Sequence, residues 1–320
     1  MGKAAGFFGG LTALRIVTLT IVGLIVTAGV AVVLYYYISN KLSGRVQVTL
    51  PDTKKPMLAT AYTDANGAVI PSTGNGKRQT VAFWIYINDI TAYRNMYRHV
   101  LHRGDKDISA SSPLVYIDNT TNKLVVRFDT VTAAAVTKPS TMSAPFCAAN
   151  PINTTDTVLY TAGNNADSVT LDLMLRGIVI DYIPIQRWVH VAVVVNEEVN
   201  MGTVSAYLDG ELVKSVSSQM SQPITLTSNA SPPVTAVKTV PYSFQNLVLD
   251  KGGDVWIGGS QTDPTIGPGF DGLVASVTFA NYDMNGSDVY DLYMRGPMDS
   301  LMARLGLPAY GVRSPLYRMA

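Results

Sequence analysis

Three patterns of apolar and polar positions divide the chain. Residues 16–40 carry no charge, and Ile16–Leu34 is almost wholly apolar, which suits a helix that spans a membrane. Residues 41–78 are polar and contain several Pro and Gly residues. From Thr80 on, short runs of β-branched and aromatic residues alternate with turn clusters, as in antiparallel β-structure. The pattern therefore predicts one apolar helix followed by a strand-rich domain.

The apolar segment is interpreted as a membrane anchor. A cleaved signal peptide is the alternative, but its apolar core is usually shorter and ends in small residues. Here the apolar run ends in three tyrosines, which suit an aromatic belt at the membrane interface. Basic residues are balanced on its two sides, so the orientation stays open. The residues predicted at the interface are Tyr35, Tyr36, Tyr37 and Lys41.

The strand-rich region contains several well-marked elements. Thr80–Ile87 is rich in strand formers, and Trp188–Val195 is a continuous apolar run of the kind found in a buried strand. Asp209-Gly210 separates two further runs and predicts a tight hairpin. Regularly spaced short strands are typical of a sandwich or a barrel. Other predicted strands are Tyr97–His102, Leu114–Ile117, Leu124–Phe128, Val158–Tyr160, Ser168–Leu175, Val204–Leu208, Glu211–Val216, Val255–Ile257 and Leu273–Phe279.

Outside the anchor, only two short helices are predicted, over Asp288–Met294 and Met298–Leu305. Two long segments are predicted to be irregular, Thr130–Thr157 and Ser217–Phe244. The predicted fold is an all-β antiparallel jelly-roll β-sandwich preceded by one transmembrane α-helix. The predicted parts are an N-terminal segment at 1–15, the helix at 16–40, a linker with a candidate first strand (Arg45–Leu50) at 41–78, the sandwich at 79–297 and a C-terminal tail at 298–320.

Composition narrows the function classes. Only 15% of the residues are charged, and the net charge is +1. Residues 1–50 hold four bases and no acid, so the remaining 20 bases and 23 acids leave 51–320 at −3. This balance excludes a phosphate-backbone binder and hence nucleic acid as a partner. A single cysteine, Cys147, excludes an intramolecular disulfide framework.

Four stretches together resemble the laminin-G-like branch of the concanavalin A-like lectin/glucanase superfamily. They are Val81–Ile87, Gln186–Val193, Val204–Val213 and the pair Trp256–Gly259 with Phe270–Val277. The resemblance covers roughly residues 80–290 and implies a jelly roll of two antiparallel sheets. The family's usual acidic pair in the last stretch is replaced by Ala275-Ser276. The anchor together with one such domain also resembles membrane-associated minor capsid proteins of large DNA viruses.

Enzymatic chemistry finds little support in the sequence. Glycoside hydrolysis requires two carboxylates on one face, and no strand carries acids at that spacing. His99 and His102 would need further ligands to hold a metal ion, and His190 is interpreted as a hydrogen-bonded core residue. No cofactor is predicted. Members of the laminin-G-like branch often hold calcium at the rim of the sandwich. If the resemblance extends to this site, the candidate ligands are Asp105, Asp118 and Asp271. The alternative is that these acids are solvated residues of turns.

Several candidate contact residues remain. Aromatic platforms for sugars or partners are proposed at Tyr93, Tyr97, Tyr116 and Tyr242, and N-glycosylation acceptors are Asn119, Asn153 and Asn285. The tail mixes arginine and tyrosine, which suits either a partner-docking arm or a strap on its own sandwich. Its candidate docking residues are Arg304, Tyr310, Arg313, Tyr317 and Arg318.

The sequence thus favours a non-enzymatic, single-pass membrane protein. Its lectin-like sandwich is expected to contact other proteins of a larger assembly, in particular a viral capsid above its membrane. The lipid bilayer, through residues 16–40, and capsid proteins are the expected partners, with localisation at the capsid–membrane interface. A glycan-binding attachment or recognition protein is the alternative, and a glycoside hydrolase is the least favoured reading.

Overall fold

A computed structural model shows the protein as two separate units, one up to Arg45 and one from Val46 onward. The described residues are 18–35, 44–73, 76–93, 96–106, 111–118, 121–130, 161–162, 177–199, 201–228, 235–242, 244–260, 263 and 266–298.

The first unit contains helix α1, Thr18–Tyr35. Its 18 residues have a mean hydropathy of 2.3 and are exposed along the whole helix. At 1.5 Å per residue the helix is about 27 Å long, close to the thickness of a bilayer's hydrocarbon core. It is the only helix in the described residues that is long and apolar enough to cross a membrane. Tyr35 lies at its end, whereas Tyr36, Tyr37 and Lys41 lie outside the described residues.

The second unit is built around two antiparallel sheets, which confirms the predicted all-β sandwich; among the small sheets, β9 pairs with β14 in parallel. The larger sheet, sheet A, has the strand order β1-β18-β4-β11-β12-β13, with β2 also paired to β18. Its strands are β1 (Gln47–Thr49), β2 (Met57–Leu58), β4 (Lys77–Asp89), β11 (Trp188–Glu198), β12 (Met201–Leu208), β13 (Glu211–Ser217) and β18 (Asp271–Ala280).

The second sheet of the sandwich, sheet B, has the order β10-β7-β6-β5-β17-β3. Its strands are β3 (Thr63–Ala65), β5 (Arg98–Gly104), β6 (Leu114–Ile117), β7 (Leu124–Arg127), β10 (Gly177–Ile180) and β17 (Asp254–Ile257). Two small sheets complete the described strands: β15-β14-β9 and β16-β8. They consist of β8 (Asp129–Thr130), β9 (Thr161–Ala162), β14 (Ser221–Ser228), β15 (Thr235–Pro241) and β16 (Leu247–Val248).

The apolar core lies between sheets A and B. Alternate residues of β4, such as Phe83 and Ile85, enter one buried cluster with Val115 and Ile117 of β6. The other face of β4 is also buried, because α2 (Gly286–Arg295) packs on it through Val289 and Leu292. A strand covered on both faces has no polar face. The unbroken apolar run from Val81 to Ile85 follows from this double burial.

Local sequence signals account for the ends of several elements. Asp209 and Gly210 both have positive φ, as a two-residue hairpin turn between β12 and β13 requires. Helix α2 begins with a capping box between Asn285 and Asp288 and ends at Gly296, where φ is +83°. The predicted helix over Asp288–Met294 is therefore found, slightly extended.

The segment at 41–78 differs from its prediction as a linker with one candidate strand. Its described part holds β1, β2 and β3, which add to both sheets. Ser217–Phe244 also differs, because the hairpin β14–β15 lies in a segment predicted to be irregular. The predicted strands Val158–Tyr160 and Ser168–Leu175, the segment Thr130–Thr157 beyond β8 and the helix Met298–Leu305 beyond Met298 lie outside the described residues.

Besides this strand pairing, the early segment contacts a bulge in β18. The pairing of β18 with β4 slips between Ala275 and Thr278, and Ser276 has φ of +49°. A short 3₁₀ turn, Pro51–Lys54, follows β1 and meets this bulge. The Leu50 amide donates to the Val277 carbonyl at 2.8 Å, and the Val277 amide donates to Thr53 Oγ1 at 2.9 Å.

Replacing Thr53 tests this link. Thr53 is fully buried, and its hydroxyl also donates to the Leu50 carbonyl at 2.8 Å. In Thr53→Val the Val277 amide loses its acceptor, so we expect the free energy of unfolding to fall by about 1–3 kcal/mol. The exposed Thr60→Val is the matched control, with a change below about 0.5 kcal/mol. Denaturant titration measures both, and equal changes in the two variants would contradict this role of Thr53.

Candidate functional site

A cavity of about 150 Å³ lies beside the bulge, on the face of sheet A that α2 covers. We call it the β18 pocket. Its wall combines residues from β1, the 3₁₀ turn, β4, β11, β18, α2 and the segment that follows α2. The lining residues are Thr49, Lys54, Trp84, His190, Ser276, Thr278, Leu292, Arg295, Gly296 and Met298.

Aromatic rings form the inner part of the pocket. Trp84 on β4 and His190 on β11 are opposite each other in the sheet register, with ring centroids 5.2 Å apart. Tyr293 of α2 stacks on Trp84 at 5.7 Å. Trp188 also points to this face, because it lies two residues before His190 on β11, and it contacts Tyr86. The central strands of sheet A thus present an aromatic row beneath α2.

His190 is held in place through its backbone. Its amide donates to Asp209 Oδ1 at 2.9 Å, and its carbonyl accepts from the Asp209 amide at 2.9 Å. The Asp209 carboxylate also forms an ion pair with Arg187 at 2.9 Å. Burial raises the pKa of Asp209, against the effect of these hydrogen bonds and of Arg187. The hairpin turn therefore also fixes the strand position of His190.

The imidazole of His190 differs from its prediction as a hydrogen-bonded core residue. Its side chain is buried, and within the part of the chain that the structure describes Nδ1 has no hydrogen-bond partner. An unmet buried polar atom costs about 1–3 kcal/mol. Burial lowers the pKa of His190 to about 3, so the ring is neutral near pH 7. A neutral ring carries one N–H and one lone pair, and His190 adds polarity without charge to the pocket.

The outer part of the pocket is basic and rich in hydroxyl groups. Lys54 and Arg295 are both exposed, and no ion pair is found for either within the described residues. Thr49 Oγ1 and Thr278 Oγ1 are 2.8 Å apart, and Ser276 Oγ donates to the Pro297 carbonyl at 3.1 Å. None of the described lining residues is a carboxylate. The wall can therefore offer two cations and several hydroxyls to a small polar molecule.

The histidine pair of β5 forms a separate polar cluster. His99 Nδ1 lies 2.5 Å from the Gly258 carbonyl, and His99 Nε2 lies 2.8 Å from His102 Nδ1. His102 Nε2 lies 2.9 Å from the Asp105 carbonyl. Burial, followed by the neighbouring His102, lowers the pKa of His99 well below its ordinary value. Since every ring nitrogen has a contact within the chain, the pair offers no ready ligand to a metal ion.

The predicted calcium ligands are not brought together. Among the described residues no group of three or more His, Cys, Asp or Glu side chains could hold a metal ion. Asp118 accepts from the amide and the hydroxyl of Thr121, at 3.1 and 2.6 Å, and so stabilises its own turn. Asp271 accepts from Asn88 at 2.8 Å. Asp105 lies after β5, and its carbonyl contacts His102.

Two of the four tyrosines proposed as exposed platforms are buried instead. Tyr97 and Tyr116 are 1% and 3% exposed and meet edge to face at 5.4 Å, so this proposal is wrong for both. Tyr242 is half-buried and stacks on Phe244 at 5.3 Å. Tyr93 is partly exposed and has φ of +58°.

The modification and docking residues are only partly described. Asn285 is exposed, and its side chain accepts from the Asp288 amide as the N-cap of α2. Its glycosylation stays a prediction. The other candidates lie outside the described residues; they are Asn119, Asn153, Arg304, Tyr310, Arg313, Tyr317 and Arg318.

Comparison with known proteins yields distant structural likeness only. No protein-family profile matches the chain, and no curated protein sequence matches it significantly. The laminin-G-like resemblance therefore stays a prediction.

Solved structures with a related outline include three binding domains. The receptor binding domain of botulinum neurotoxin C/D mosaic serotype is 10% identical, with a TM-score of 0.40 over 78% of this chain and 46% of that one. The botulinum neurotoxin serotype G binding domain is 12% identical, with a TM-score of 0.38 over 78% and 46%. The binding domain of Paraclostridial Mosquitocidal Protein 1 is 9% identical, with a TM-score of 0.38 over 78% and 47%. The chain thus spans less than half the length of these structures, and its function has to be inferred from its own residues.

The low pKa of His190 predicts a pH dependence of stability. Between about pH 3 and 6.5 the unfolded chain binds a proton at this residue that the folded chain does not. The free energy of unfolding therefore falls as the pH is lowered through this window, by up to about 1.4 kcal/mol per pH unit from His190. We expect His190→Phe to remove this part of the slope.

Denaturant titrations of the parent and variant at several pH values between about 5 and 7 measure the effect. Tyr86→Phe, on the neighbouring strand, removes no histidine and should keep the parent slope. An unchanged slope in His190→Phe would show that His190 is not held neutral by burial.

Proposed function

We propose that this protein is a single-pass membrane protein whose β-sandwich serves as a non-enzymatic interaction module. The observation that carries the proposal is α1, which is uncharged and exposed along its whole length. Exposed leucine, isoleucine and valine side chains in one continuous helix are unfavourable in water. A bilayer removes that cost, because the backbone of a helix is hydrogen-bonded internally.

A binding role rather than catalysis suits the β18 pocket. Its described lining has no carboxylate, whereas glycoside hydrolysis uses a pair of them. His190 lies in the pocket without a hydrogen-bonded serine or cysteine beside it in the described residues, as a nucleophile–base pair would need. The cations and hydroxyls of the wall are instead suited to holding a polar group.

More specifically, we propose that the protein is part of a larger assembly, as a minor capsid protein that ties a viral capsid to its membrane. The order of an anchor, one sandwich and an arginine- and tyrosine-containing tail supports this form. Recognition of a glycan is the second candidate, and the β18 pocket favours it because hydroxyl groups and aromatic rings line the cavity.

Charges placed in the middle of α1 test the anchor. We expect the full chain to stay with the membrane fraction after alkaline carbonate extraction. The double variant Ile25→Arg, Val26→Arg should be released, since each arginine costs about 2.5–3.5 kcal/mol at the centre of a membrane helix.

The matched control is Leu58→Arg with Val213→Arg, because both residues are exposed apolar positions of the sandwich. This control should remain in the membrane fraction. Extraction of the parent chain by carbonate alone would overturn the membrane-protein proposal.

A further inference from the structure

We propose that the β18 pocket binds one acidic sugar unit, a hydroxylated ring that carries a carboxylate. This inference rests on the proposed function, because it names the ligand class that the interaction module recognises. It concerns a site beneath α2 on the outer face of sheet A, built by the bulge in β18 and the turn at Pro51–Lys54.

The charged residues that line the pocket indicate a negatively charged ligand. Lys54 and Arg295 reach the pocket from separate elements, the 3₁₀ turn and the end of α2. Some other surface cations have acidic partners: Lys77 pairs with Glu197 at 3.2 Å, and Lys106 pairs with Asp263 at 2.6 Å. Lys54 and Arg295 have no such partner within the described chain, and no described acid lines the pocket. A carboxylate between them would complete two charge-assisted contacts.

The hydroxyl groups point to a ligand that carries hydroxyls itself. Thr49, Ser276 and Thr278 form a polar strip along β1 and the β18 bulge. Each hydroxyl donates one hydrogen bond and accepts up to two, so their contacts within the chain leave accepting capacity. The ring hydroxyls of a sugar can donate to these oxygens. A simple carboxylate has no hydrogen-bond donor to offer to this strip.

The buried imidazole supplies the independent sign of a ligand site. His190 lines the cavity and is almost fully buried, and no residue that the structure describes is a partner for Nδ1. The ring is neutral, so it adds a polar group to the wall without adding to its positive charge. Trp84 and Leu292 give the same cavity apolar surface, which suits the C–H face of a sugar ring.

The size of the pocket limits the ligand to a single unit. The cavity volume of about 150 Å³ is on the scale of one sugar ring and is too small to hold several rings. A longer glycan would place only its terminal unit in the pocket.

The test uses the full chain in detergent micelles and isothermal titration calorimetry. The probes are glucuronate as a free acidic sugar, sialyllactose as a glycan with a terminal acidic sugar, and glucose, acetate and phosphate as controls. We expect glucuronate or sialyllactose to bind with millimolar or better affinity, at least about tenfold tighter than every control. The probe that binds more tightly shows whether the preferred ligand is a free sugar acid or the terminal unit of a glycan.

Variants locate the binding. Lys54→Gln and Arg295→Gln should each weaken the binding of the acidic sugar about tenfold, the loss expected for one charge-assisted contact. Lys55→Gln is the matched control, because Lys55 is the exposed neighbour of Lys54 and does not line the pocket. It should leave the affinity unchanged. Circular dichroism shows whether each variant is folded.

Three results would overturn the inference. Equal binding of acetate or phosphate would reduce the pocket to a general anion site, and equal binding of glucose would remove the role of charge. Absence of binding by a folded chain would reject the pocket as a sugar site and leave the membrane-protein proposal intact. Release of the parent chain by carbonate, with sugar binding retained, would instead reject the anchor and keep the pocket.

Discussion

The two hydrogen bonds at Val277 connect the fold to the candidate site. Antiparallel strands normally satisfy their amides and carbonyls on the neighbouring strand, and a bulge interrupts that pattern. Here the Val277 amide and carbonyl are instead satisfied by Thr53 and Leu50. The same contact brings Lys54 to the wall of the β18 pocket, opposite residues of α2. An irregularity in one strand thus gives sheet A a cavity where a regular sheet would present a flat face.

Apolar runs and turn residues in the sequence predicted the central strands of sheet A well. The apolar runs of β4 and β11 and the Asp209-Gly210 turn are local signals, and the structure contains each of these elements. The short strands β1, β2 and β3 were harder to predict. Pro51 and Pro56 interrupt this region and suggest a linker, because proline cannot donate to a ladder. Its pairing depends on contacts with β17 and β18, which are about 190–230 residues away.

The candidate site was less predictable than the fold. Tyr97 and Tyr116 look like platform residues in the sequence, but they pack against each other with Leu114 and Val125. A strand pattern shows which residues share a face, whereas the element that covers that face is set by tertiary structure. The same limit applies to His190. The sequence placed it in a buried strand, yet only the tertiary structure shows that Nδ1 has no hydrogen-bond partner among the described residues.

The entry of the chain into the sandwich also has a mechanical consequence. The Val46 amide donates to Asn281 Oδ1 at 2.7 Å, its carbonyl accepts from the Asn281 amide at 3.1 Å, and β1 then pairs with the end of β18. Tension on the N-terminal segment would therefore act on the contact between Val46 and Asn281, on β1 and on Thr53 at the bulge. Because Thr49 of β1 and Lys54 beside Thr53 line the β18 pocket, a pull of that kind would act on the pocket wall.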